Sequence, residues 1–287
     1  MPSSSVSYYL MSALVLGFCL LGFIAPLVPY SPQDAVNQGE RQFCPPAFAT
    51  PTSQQKRTCP KPSGSFFGTD HLGREVGIRL LKGVQAVFFP GVLAALIAVI
   101  CGGVFGAIGG YATGVSKGII MGCINIVDTL PRMVFMILVC TILKPSIMLI
   151  ALVAGILAIP TVAALVKEKV ERLASEDYIL AHIAHGFSPL RILLYHILWL
   201  QCRPLLIRQA SFTFGYIVFL EAALCYLGDY GVQEPQPSWG NMIAQAKNYA
   251  LMSTWPWLFP ALTTMVTIAA FLAFGNAVAR RGETVSR

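Results

Sequence analysis

Six blocks of this sequence, at 8–29, 87–111, 118–143, 147–166, 205–227 and 257–279, are apolar almost without interruption. Crossing a hydrocarbon layer of roughly 30 Å takes about 20 residues of helix, because lipid offers no partner to an unpaired backbone N–H or C=O. Each block is long enough to do so, and none shows the short amphipathic stripe of a helix lying on a soluble core. Composition agrees: 55% of the 287 residues are hydrophobic and 11% charged, against roughly a quarter charged in a soluble domain. An all-α integral membrane protein with six transmembrane helices is expected. The first block lacks a basic lead-in and exceeds the usual apolar core of a signal peptide, so it reads as an anchor helix.

Four blocks carry no charge, the third holds Asp128 and Arg132, and the fifth holds Arg208 and Glu221. An ionisable side chain is costly in lipid, so Asp128, Arg132 and Glu221 are expected to face protein or water. Asp128 and Arg132 are spaced for an intrahelical pair, whereas Glu221 has no evident local partner. A structural pair is the plainer reading of the first two, and lining a polar path is the sharper one.

The blocks divide the chain into an N-terminal helix at 1–30, a polar loop at 31–86, a five-helix core at 87–279 and a tail at 280–287. The loop is rich in Pro, Gln, Thr and Ser at 45–65 and reads as irregular. Cys44 and Cys59 both lie in it. In an oxidising compartment they can pair, which in the simplest chain-entropy model stabilises by roughly 3 kcal/mol; in a reducing one they stay free thiols. A metal site from these thiols and His71 has too few ligands to be favoured.

Within the core, 167–203 is polar yet helical in pattern. Glu176 and Asp177, following Ser175, put acidic groups where a helix dipole favours them. Gly186 is a natural stop, and Ser188 followed by Pro189 offers an N-cap and a first helical residue for a second helix. The net charge of +7 comes from Lys and Arg scattered through the connecting segments, without the aromatic-interleaved stripe that nucleic acid binding calls for. Those cations fall equally on the two faces of a six-span protein, so they leave its orientation open; the basic end at Arg280 and Arg281 favours termini inside.

No phosphate-binding loop, paired zinc histidines, C-x-x-C or nucleophile elbow is present, so no catalytic or metal-binding residue is assigned. At 175–198, however, the sequence resembles the cytoplasmic coupling segment, the EAA loop, of ABC importer permeases. Glu176, Asp177, Tyr178, Ala181, Gly186, Ser188, Arg191, Ile192, His196, Ile197 and Leu198 match the pattern of the dipeptide, oligopeptide and nickel branch in register. The stretches 67–76 and 226–242, and Asp128 with Pro131, are similar to the second of that branch's two paired permeases. His182, Trp199 and the pair Asp229 and Tyr230 depart from the family pattern.

The resemblance implies a type I ABC importer permease in the bacterial cytoplasmic membrane, with termini and a coupling helix inside. It implies a second homologous permease, two ATP-binding subunits that carry ATP and Mg, and an extracytoplasmic substrate-binding protein as partners; no cofactor is expected on this chain. ATPase coupling would fall to Glu176, Asp177, Tyr178, Ala181, Gly186, Ser188 and Arg191. Docking of the binding protein would fall to Asp70, Arg74, Ser238 and Trp239, and the pore to Asp128, Arg132 and Glu221, the last as a contact for a cationic peptide terminus or for the second permease. Trp255 and Trp257 read as interfacial anchors. Di- and oligopeptides are the expected cargo; nickel chelates, polyamines and antimicrobial peptides fit the same architecture. A membrane enzyme would need a convergent constellation that the motifs lack, and a non-transporting scaffold would not need the capped hairpin.

Overall fold

Backbone groups in lipid can bond only within the chain, and each apolar block is helical. The computed structural model describes residues 3–29, 42–49, 59, 65–112, 114–228 and 230–285. Most of the Pro-rich segment, together with Arg41, Lys56, Arg57, Lys61, Asp229 and Arg287, lies outside the described residues. The helices are α1 (Ser3–Ile24), α2 (Val76–Tyr111), α3 (Val115–Asp128), α4 (Arg132–Ile142), α5 (Ile147–Ala174), α6 (Asp177–Ala184), α7 (Arg203–Leu227), α8 (Trp239–Ala246) and α9 (Trp255–Val285). Between α6 and α7 a single turn, Pro189–Arg191, runs straight into a π-helix, Ile192–Gln201. Among the described residues no strand forms beyond an isolated bridge between Thr69 and Glu75.

Five helices are each long and apolar enough to cross a membrane, and α3 with α4 makes a sixth span bent by 72°. The bend has a chemical cause. Pro131 has no N–H to donate and disfavours helical angles at Leu130, so α3 stops at Asp128 and α4 restarts at Arg132. Two boundaries differ from the sequence expectation. α2 begins at Val76, well before the apolar block at 87, because 76–86 is half polar yet packs against α8. α9 continues to Val285 through the expected tail.

The bundle is held by close backbone approach. Along α2, Ala94, Ala98, Gly102, Gly106 and Gly110 recur every fourth residue and put small side chains on one face. A Cβ on Gly106 would sit 2.5 Å from the Ala163 carbonyl oxygen, and one on Gly155 would sit 2.8 Å from that of Ala94. The α2 and α5 axes are therefore as near as glycine allows. A second cluster joins α1, α2, α7, α8 and α9 around Phe18, whose ring meets Phe88, Phe214, Trp239 and Phe271 edge-on. Outward-facing Leu16, Leu20, Phe23, Leu96 and Ile100 are exposed, as lipid contact requires.

Gly106→Val should destabilise the chain by about 1–3 kcal/mol, whereas Gly122→Val, where nothing lies within 4 Å of the added Cβ, should be close to neutral. Thermal unfolding of both purified variants in detergent checks the contrast; equal melting temperatures would refute the small-residue contact.

Candidate functional site

The coupling segment is a short helix fixed from below and bare above. Ile179 is fully buried with Val166 and Val170 of α5, with Ile192 and Ile197 of the π-helix and with Cys202 just after it. Glu176, Asp177, Tyr178, Ala181, Gly186, Ser188 and Arg191 are all exposed. Gly186 has φ +80°, and the Phe187 N–H reaches back to the His182 carbonyl at 3.2 Å, closing the left-handed C-cap that only glycine adopts cheaply. Ser188 accepts a bond from the Arg191 N–H at 3.4 Å and Pro189 fills the next position. One cap falls differently from the sequence expectation: Ser175 belongs to the end of α5, where its hydroxyl donates to the Arg172 carbonyl at 2.9 Å. Only Asp177 lies in the first turn of α6, and Glu176 precedes it.

His182 stands in van der Waals contact with His196 of the π-helix, their ring centroids 4.3 Å apart, and the Arg191 guanidinium lies 5.0 Å above the Phe187 ring. Loss of water, then His182 and Arg191, hold the His196 pKa below its ordinary value. Burial pushes the Cys202 thiol up to about 11, which leaves it an inert packing group. Burial also raises the Tyr178 phenol, with Glu176 adding to it.

In the membrane, Asp128 and Arg132 do pair, at 3.2 Å, but across the break between α3 and α4 and not within one helix. The same Arg132 Nη2 donates to Thr161 Oγ1 of α5 at 2.6 Å. Arg132 and Thr161 then line a cleft of about 390 Å³ whose other walls include Gln209, Thr213 and Tyr216 of α7 and Ile268 of α9. Glu221 is elsewhere and does not reach this cleft. It is 1% exposed and accepts from Ser238 Oγ at 2.6 Å, from Cys225 Sγ at 3.1 Å and from the Gly240 N–H at 3.2 Å. It ties the start of α8 to α7, so the expectation of a contact with solute or with a second permease is corrected.

The four residues expected to dock a binding protein are likewise interior: Asp70 is 4% exposed, Arg74 2%, Ser238 0% and Trp239 1%. Ser238 and Asn241 form a capping box for α8, and the Trp239 indole donates to the Leu80 carbonyl at 2.9 Å. Asp70 receives Arg74 Nε at 2.7 Å and the Arg74 and Leu72 N–H groups at 2.9 Å, and it also pairs with Arg79. The two arginines reach across to Glu234, at 2.5 Å from Arg74 and 2.8 Å from Arg79. Arg79 and Glu234 were not singled out in the sequence. The bonds from Arg74 and Arg79 to Glu234 join residues more than 150 positions apart, so no local spacing signals them. Beside this network Cys44 and Cys59 form a disulfide, which leaves no thiolate for a metal with His71.

Burial pushes the Asp70 carboxyl up, but Arg79, Arg74 and the Arg74 N–H outweigh it and hold it below its ordinary value. Glu234 is likewise pushed up by burial and drawn lower overall by bonds from Arg74 and Gln245. The Arg74 guanidinium is raised despite its burial, by Glu234 and Asp70. His71, stacked on Tyr249 at 5.1 Å, is lowered, by burial first.

Helices long and apolar enough to cross a membrane, packed around a cleft and carrying a capped helix exposed at one end, define a multi-pass membrane protein. The sequence profile described as "Binding-protein-dependent transport system inner membrane component" matches residues 102–283, and the chain belongs to that family. It is 29% identical to the dipeptide transport system permease protein DppC of Alkalihalophilus pseudofirmus, over 92% of this chain and 81% of that one. Against the di/tripeptide transport system permease protein DppC of Pseudomonas aeruginosa it is 28% identical, over 93% and 84%. Against the oligopeptide transport system permease protein OppC of Haemophilus influenzae it is 31% identical, over 74% and 67%.

The lowered carboxylates set a pH window. They bind fewer protons folded than unfolded, so their stabilisation is complete above roughly pH 5 and is lost as pH falls through their folded pKa values. His71, also lowered, begins to cost stability below about pH 6.5. Asp70→Asn should cost about 3–5 kcal/mol at pH 7, because it removes the buried one of the two carboxylates that pair Arg74 and Arg79, and should flatten the acid limb below pH 5. Melting temperature against pH for both proteins measures this; parallel curves would refute the network's role.

Proposed function

We propose that this chain is one of two permease subunits of an ATP-driven importer of peptides. It builds half of the pore, a second homologous permease builds the other half, and one of two ATP-binding subunits, which hold ATP and Mg, seats on α6. Membership of the family supports the transport role. The relatives named for dipeptides and oligopeptides favour peptides over nickel chelates, polyamines or antimicrobial peptides. The observation that carries the coupling role is the geometry of α6. Its underside is locked to α5 by Ile179, and its outer face leaves Asp177, Tyr178 and Ala181 exposed. A short rigid helix of that kind can sit in a groove of an ATPase and move as one body, which is how rocking about a central site gives alternating access.

Orientation follows from redox chemistry. Disulfides persist in oxidising compartments, so the end carrying Cys44 and Cys59 lies outside the cytoplasm. Counting α3 with α4 as one crossing, three spans separate the disulfide end from α6, which puts α6 and both termini inside. A substrate-binding protein then meets the disulfide end, through surface groups other than the buried Asp70, Arg74, Ser238 and Trp239.

Two measurements test this. Co-purification from the native membrane should bring down two ATP-binding subunits with the wild type, and Gly186→Val, strained by about 1–3 kcal/mol at its left-handed position, should lower that yield about tenfold. A preparation free of any ATPase would sink the proposal. After mild reduction, a membrane-impermeant maleimide added to intact cells should label Cys44 and Cys59; labelling only after lysis would reverse the orientation.

A further inference from the structure

The cleft bordered by α4, α5, α7 and α9 has a chemical bias. Among the described residues of its wall Arg132 is the one charged side chain, and Asp128 pairs with it from off the wall. The guanidinium spends only Nη2 on Asp128 and Thr161, so Nε and Nη1 bond no described residue. Gln209, 6% exposed, lines the cleft without a hydrogen bond to any described residue. Its amide therefore stands as a free donor and acceptor on the cleft wall. Thr213, also 6% exposed, adds a hydroxyl one turn along. The free Nη1 amino group, with the neutral side chains of Gln209 and Thr213 on the same wall and apolar Ile268 facing it, is a charge-assisted donor suited to one oxygen of a carboxylate.

We infer that this cleft is a station for the carboxylate of a passing solute, with Arg132 as the direct contact and Gln209 and Thr213 as neutral donors beside it. The path through this chain therefore favours solutes with a free carboxylate over those whose carboxyl is masked. The inference rests on the importer role proposed above and narrows its cargo to carboxylate-bearing peptides.

The test uses the whole importer, with its binding protein, in proteoliposomes. Uptake of trialanine with a free carboxyl terminus should fall about tenfold in Arg132→Gln, the loss of one charge-assisted contact, and stay within about threefold in Arg132→Lys, which keeps the charge. Gln209→Leu should lower it as well, and serves if Arg132→Gln does not assemble. A second readout needs no known cargo. Phe219 is on the cleft wall and exposed, so Phe219→Cys reports local potential through its rates with an anionic and a cationic methanethiosulfonate. The anionic-to-cationic ratio should drop about tenfold when Arg132→Gln is added. Unchanged trialanine uptake in Arg132→Gln, or an unchanged ratio, overturns the inference. If the wild type takes up no peptide while the ratio behaves as expected, the peptide-importer role fails and the anion-selective cleft stands.

Discussion

The absence of hydrogen-bond partners in lipid governs the rest of this molecule. It forces every crossing to be helical, and it removes the hydrophobic drive for one helix to leave lipid for another. Helices must then be held by contact at short range. α2 and α5 meet that demand through Gly102, Gly106, Gly110 and Gly155, where a side chain would strike backbone or Cβ atoms of the facing helix. The polar groups obey the same constraint. Glu221 is buried only because Ser238, Cys225 and the Gly240 N–H supply three bonds to it. Asp70 and Glu234 are tolerated because two arginines bridge them.

Local features were legible in the sequence because their physics is local. The six spans follow from run length, and the turn at Gly186 and the cap at Ser188 follow from backbone angles and one side-chain oxygen. The Asp128 to Arg132 pair was visible from spacing, but the break between them was not weighed, although Pro131 announces it. The small-residue row on α2 and the polar row Gln209, Thr213 and Tyr216 on α7, spaced four and three apart, were also present to be read. They carry no charge, so the cost of burying an ion does not set them apart from the apolar run around them.

Long-range closure was not legible. Trp239 and Ser238 look like surface recognition residues in a Pro-rich polar stretch, yet Trp239 bonds Leu80 and packs against Phe18, both far away in sequence. Glu221 looks stranded for the same reason, since its donors arrive from the start of α8. In each case a motif shared with a family marks a position that matters, without telling whether it matters for contact with a partner or for holding the chain together.

The two candidate sites are joined by rigid elements. α5 carries Thr161, bonded to Arg132 at the cleft, and a short way along the same helix it carries Val166 and Val170, which seat Ile179 of the coupling helix. α7 follows the π-helix after a single residue, and Gln209 stands in its second turn. The coupling helix is thus wedged between two elements that each run on to form a wall of the cleft. A close-packed interior transmits displacement because it has little free volume in which to absorb it. Under the importer role proposed above, movement of α6 and release of a solute held at Arg132 would pass through the same two packed elements, α5 and α7.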